Sequence, residues 1–226
     1  MTDPAVPITY VVVVMPVTVP SERTSPAAPL AERRASQRAR LFDAATIVFT
    51  EVGYPATSVD AIARQAGMSK ATFYELFPGG KEECLFELFD ESARILLTEM
   101  ATASALATAP DYHEHVRAGV RAFLETLASN YDKALVLLVE MQRAGNEAAG
   151  RRDNMLDLFA EAIFRDNAAH APRFGAPVFN DRQDAFACVA AGVEMVSRKL
   201  RTGERDSVLE LGPLITRMLL ALLHMS

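Results

Sequence analysis

Thr57-Ser-Val-Asp-Ala-Ile-Ala-Arg-Gln-Ala-Gly67 and, one residue on, Ser69-Lys-Ala-Thr-Phe-Tyr-Glu-Leu-Phe77 decide the fold. Val59, Ile62, Ala63 and Ala66 fall on one face of a short helix that Thr57 or Ser58 caps and Gly67 stops. Ser69 caps a second short helix with Phe73, Leu76 and Phe77 turned inward. The small side chain of Ala63 lets the second helix cross closely over the first, and Gly67 supplies a turn where a side chain would cost energy. Ile62, Ala66, Met68 and Phe73 pack the joint. A helix-turn-helix of this kind can lay the start of its second helix in a DNA major groove. The same apolar spacing also suits an ordinary helical hairpin, and at this point both readings stand.

Outward from that pair, Leu41, Phe42, Ala45, Val48, Phe49 and Val52 mark a preceding helix of about 33–52 that Gly53 ends. After Pro78-Gly79-Gly80, the residues Leu85, Phe86, Phe89, Ala93, Leu96, Leu97 and Met100 mark a helix of some six turns, broken at Ala109-Pro110. Helical periodicity returns near 111–129, 132–143, 151–168, 183–202 and 207–224. No period-2 alternation occurs after residue 30, so the chain reads as all-α. Half of its 12 prolines stand in the first 30 residues, which are expected to be a disordered or misassigned N-terminal extension. The apolar run Ile8–Val19 is too short to span a bilayer, which takes about 20 residues, and lacks the flanks of a secretory signal.

The 226 residues carry a formal net charge of −6, which by itself speaks against a nucleic-acid partner. Its distribution reverses that reading. Seven basic residues against five acidic ones make the stretch Ala31–Lys81 net +2, ahead of an acidic remainder. Two cysteines, Cys84 and Cys188, form no disulfide framework and no zinc spacing, and fit a reducing, cytoplasmic compartment. His113 and His115 beside Asp111 and Glu114 stand two apart, on different sides of a helix, and read as a polar first turn after Pro110. No metal and no cofactor is expected. No glycine-rich phosphate loop or nucleophile elbow is present, and the expectation is that the protein is not an enzyme.

With Arg38 to Asp90 in view, including Phe49-Thr-Glu-Val-Gly-Tyr54, the two helices quoted above and Lys81-Glu-Glu-Cys-Leu85, the chain resembles the TetR family of bacterial transcriptional regulators. The resemblance implies that Ser69, Lys70, Ala71 and Thr72 open a recognition helix and that Tyr74 bonds a phosphate. It also implies that Thr57 or Ser58 meets phosphate and that Lys81 touches the DNA backbone. Arg33, Arg34 and Arg38 either form a solvated face or reach DNA as a flexible arm; Arg38 is counted among the DNA contacts. Leu76 and Glu75 depart from the family pattern, and the Gly-Gly turn is one residue longer than its commonest form.

The resemblance further implies a three-helix DNA-binding domain at 31–80 and a six-helix ligand-binding and dimerisation domain at 81–226. A homodimeric repressor on a palindromic operator of double-stranded DNA, released by a small apolar or amphipathic effector, is the expected function, with no membrane partner. Expected pocket walls are Phe89, Phe123, Leu127, Leu138, Met141 and Phe159, with Glu140 and Gln142 as polar anchors. Cys188–Leu200 is similar to the family's penultimate, dimer-forming helix. The stripes Val189, Val193, Val196, Leu200 and Leu211, Leu214, Ile215, Met218, Leu222 are the expected dimer interface, some of each facing its own core. The alternative is an all-helical small-molecule or partner-binding protein without operator recognition, for which Leu76 and Glu75 are the suggestive residues.

Overall fold

The computed structural model describes residues 30–106, 109–203 and 205–223. The expectations for the N-terminal extension lie outside them, except that Leu30 already belongs to the first helix. The α-helices are α1 (Leu30–Val52), α2 (Val59–Gln65), α3 (Lys70–Leu76), α4 (Gly80–Leu106), α5 (Tyr112–Ser129), α6 (Tyr131–Leu138), α7 (Asn146–His170), α8 (Arg182–Arg201) and α9 (Gly212–Ala221). The chain is all-α, and no strand forms among the described residues.

The helix ends follow local chemistry. Gly53, at φ +79°, donates to the Phe49 carbonyl and closes α1. The end of α2 is a Schellman turn: Met68 donates to Ala63 at 2.9 Å and Gly67, at φ +64°, to Arg64 at 3.0 Å. Side chains of Ser58, Ser69, Asp111 and Asp181 cap α2, α3, α5 and α8. Two expected helices divide. The stretch 132–143 ends as α-helix at Leu138 and continues as a 3-10 turn over Glu140–Arg143, while 207–224 begins as a 3-10 turn and becomes α9 only at Gly212. Pro213 at the start of α9 has no N–H to give to a preceding turn, which fixes the α-helical start there. Helix α7 runs further than its expected 151–168, because Gly145 at φ +90° opens it early.

Phe49, Phe73, Phe77, Leu41 and Ile62 are fully buried where α1, α2 and α3 meet. Phe77 stacks obliquely on both Phe42 and Phe73, at 5.5 and 5.3 Å between ring centres. Helix α1 also packs on α6, and the remaining core lies where α4 meets α5 and α7 meets α8, with α9 laid across α5.

Candidate functional site

Cap and core together leave one face of α3 outward. Ser69 accepts the Thr72 N–H at 3.0 Å, and its hydroxyl lies 2.9 Å from that of Thr72. Phe73, Leu76 and Phe77 are buried, so Ser69, Lys70, Ala71, Tyr74 and Glu75 are exposed. Lys70 stands 3.5 Å from Asp60, an exposed pair worth little and easily exchanged for another anion. Tyr74 sets its ring edge-on to Phe73 and remains 43% exposed. Leu76 packs into the joint, so its departure from the family pattern places no apolar group on the exposed face.

Three residues expected at the DNA are instead bound within the protein. Thr57 is buried and donates to the Gly53 carbonyl at 2.8 Å, leaving Ser58 as the exposed capping hydroxyl. Lys81 donates to the carbonyls of Tyr54, Pro55 and Thr57 at 2.9, 3.2 and 2.8 Å and lies over the Tyr54 ring. Its three ammonium protons are thereby used in fixing the loop that enters α2. Arg38 donates to the Leu76 carbonyl, pairs with Glu87 and lies 4.8 Å over the Phe77 ring, tying α1 to the end of α3 and to α4. Arg40, one of the seven basic residues between Ala31 and Lys81, caps the end of α2 through the Ala66 carbonyl at 2.7 Å. Cations at helix C-termini satisfy orphan carbonyls, and nothing in the spacing of a basic helix distinguishes that use from phosphate binding.

A cavity of about 310 Å³ opens among α4, α5, α7, α8 and α9. Its apolar lining includes Leu97, Met100, Val116, Phe123, Phe159, Ile163, Val189, Ile215 and Leu219, with Gly119 and Gly192 making room. Polar groups gather on α5 and α7. Nε2 of His115 lies 2.8 Å from Asp166, and Nδ1 of His170 lies 3.2 Å from the same carboxylate and 3.0 Å from its main-chain oxygen. The two imidazoles stack at 4.5 Å. Asn167 donates to the Tyr112 hydroxyl at 2.7 Å, and burial pushes the Tyr112 phenol up to about 12. Burial likewise pushes the Cys188 thiol up to about 11, so it stands in the lining as a neutral thiol.

Residues 41–88 match the family described as "Bacterial regulatory proteins, tetR family". The match spans the second half of α1, the helix-turn-helix of α2 and α3 and the first turns of α4. Among relatives, an uncharacterized HTH-type transcriptional regulator of Bacillus subtilis, YhgD, is 40% identical over 87 residues, covering 38% of this chain and 43% of that one. The HTH-type transcriptional activator FasR of Mycolicibacterium smegmatis is 34% identical over 92 residues, covering 41% of each chain. The alignments thus span less than half the length of these relatives. The fold is shared more widely: FadR of Bacillus halodurans superposes with a TM-score of 0.71 at 22% identity, over 81% of this chain and 94% of that one. FadR of B. subtilis, solved in complex with stearoyl-CoA, gives 0.69 at 19% identity, over 82% and 99%.

The expected pocket is only partly the observed one. Phe123 and Phe159 line the cavity, whereas Phe89, Leu127, Leu138 and Met141 are buried in closed packing. Glu140 is buried away from the cavity and accepts the Tyr54 N–H at 2.7 Å and an Arg143 N–H at 2.8 Å. Gln142 is exposed and returns its amide to the Leu138 carbonyl. Periodicity shows that a side chain faces inward, not whether it meets atoms or a void. The His115, Asp166 and His170 cluster was missed because its members come from two helices; only the i, i+4 spacing of Asp166 and His170 was visible in the sequence.

The expected dimer stripes also divide. Val189, Val193, Val196, Leu200 and Ile215 are buried in their own subunit, and Val189, Val193 and Ile215 line the cavity. Leu214 is exposed, while Leu211, Met218 and Leu222 are half-buried.

Proposed function

We propose that the protein is a ligand-responsive, DNA-binding transcriptional regulator. In this reading it acts in the cytoplasm as a homodimeric repressor on a palindromic operator and is released by a small apolar or amphipathic molecule. The observation that carries the reading is the continuity of α4. Lys81 in its first turn grips the loop entering the helix-turn-helix, and Leu97, Met100 and Ala101 of the same helix line the cavity. An effector that moves the cavity end of α4 displaces the recognition helix at the other. Coupling of typical size, about 1–3 kcal/mol, weakens operator binding ~5- to 150-fold, and operator weakens effector binding by the same factor.

The apolar lining suits an acyl or similar chain, in keeping with the stearoyl-CoA bound by the B. subtilis FadR. The exposed Leu214 and the half-buried Met218 of α9, with Leu222 just after its end and the half-buried Met195 of α8, form the apolar face that a second subunit would cover. No described helix is long and apolar enough to cross a membrane.

Footprinting of the purified protein on the DNA upstream of its gene tests the reading. Protection of two half-sites about 34–36 Å apart, or a multiple of that, is expected. Binding without sequence preference would overturn it. A reporter under that promoter separates repression from the activation named for FasR.

A further inference from the structure

We propose that His115, Asp166 and His170 hold a divalent transition-metal ion in the wall of the cavity. One ligand atom from each of the three lies within 4.8 Å of the others. His115 comes from α5, while Asp166 and His170 stand i, i+4 on one face of α7. The Asp166 carboxylate is 2.8 Å from His115 Nε2 and 3.2 Å from His170 Nδ1. Donors that share one ion at about 2.0–2.2 Å stand on the order of 3 Å apart, as the carboxylate already does from each imidazole; binding would turn the stacked rings and release His170 Nδ1 from the Asp166 main-chain oxygen.

Two imidazoles and a carboxylate are the donor set of open, three-ligand zinc sites, and the same set suits other borderline divalent ions. Here the three residues stand in a mostly apolar cavity, whose other titratable groups are the Tyr112 phenol and the Cys188 thiol. Three protein ligands leave a coordination position, and all three border the cavity, so that position opens onto its space. His115 is buried, whereas the side chains of Asp166 and His170 are 34% and 26% exposed, which gives the ion an entry path. An effector with an anionic oxygen donor and an apolar tail would complete the coordination while filling the cavity. That last clause rests on the regulator reading; the metal site does not.

The test uses the full chain, stripped with a chelator. Calorimetric titration with Zn²⁺ should give one ion per chain, and Co²⁺ should give visible ligand-field bands. His170→Gln and Asp166→Asn should each weaken Zn²⁺ binding more than ~100-fold, since losing an outer-shell partner alone costs about 10–100-fold. His113→Gln, on the exposed side of α5, should bind as the wild type does. If the variants misfold by circular dichroism, wild-type protein decides: Zn²⁺ should protect His170 from diethylpyrocarbonate and leave His113 reactive. Absence of stoichiometric binding, binding indifferent to both variants, or unprotected His170 would overturn the site and leave the cluster a hydrogen-bonded brace between α5 and α7. Operator footprints are scored separately. Zinc binding without operator recognition sinks the regulator reading alone, and operator recognition without zinc binding sinks the metal site alone.

Discussion

Glu140 accepts the main-chain N–H of Tyr54 at 2.7 Å, across 86 residues of sequence, while Lys81 takes the carbonyl of the same Tyr54 at 2.9 Å. The peptide units at the entrance to the helix-turn-helix are therefore held from two sides, by the turn that follows α6 and by the first turn of α4. Charge-assisted bonds to a buried main-chain group are worth more than neutral ones. Glu140→Ala leaves the Tyr54 N–H without its acceptor and should cost about 1.5–3 kcal/mol of stability. Urea unfolding measures it, and a change under 0.5 kcal/mol would show that the bond contributes nothing.

Lys70 and Lys81 should separate in solution although both were expected at the DNA. Lys70→Ala, on an exposed helix start, should leave the melting temperature unchanged and lower the salt slope of operator binding by ~1. Lys81→Gln abandons three carbonyls and should lower thermal stability as well as affinity. Equal melting temperatures for the two variants would contradict these placements.

Gly119 lines the cavity, and a Cβ built there meets nothing within 4 Å. Gly119→Leu should gain up to about 1 kcal/mol of helix propensity and fill the effector space. We expect an equal or higher melting temperature, unchanged operator affinity and loss of effector response, read by thermal shift and gel shift together.

Leu214 and Val193 test the two faces of the α8 and α9 pair. Leu214→Glu adds a charge to an exposed position and should yield a folded monomer by sedimentation equilibrium. Val193→Glu buries an unpaired charge and should unfold the domain. A dimeric Leu214→Glu variant would move the interface elsewhere.

Burial pushes the Cys84 thiol up to about 12 from an ordinary 9.0 and Cys188 up to about 11. Thiolate population falls tenfold per unit, so Cys84 in the folded protein should alkylate at pH 8 more than ~100-fold slower than in urea. Both folded values are raised, so their contribution to stability is complete below pH 9 and is lost as pH rises from there toward the folded values. Cys84→Ala should flatten that alkaline decline in a pH series of melting temperatures.

The helix-turn-helix was legible because its signals are local. Ser69 caps the turn that begins beside it, Gly67 adopts the left-handed angle that its own turn requires, and Phe73 and Phe77 lie one helical turn apart. The same locality made all-α architecture and the run of α4 readable, and it failed where a helix changed type after Leu138 or waited for Pro213.

By itself, then, the sequence determined which segments are helical, which faces are apolar and where α3 starts, since each depends on residues within about four positions of one another. Only the tertiary structure decided how cations, carboxylates and apolar side chains are used. Arg38 and Lys81 are basic in any reading, but what each charge meets depends on carbonyls brought to it from the end of α3 and from the loop entering α2. Whether Phe123 borders a void and Phe89 does not, and whether His115 finds Asp166, depends on how whole helices cross. No periodicity encodes that crossing, because it is fixed by the joint packing of side chains far apart in the chain.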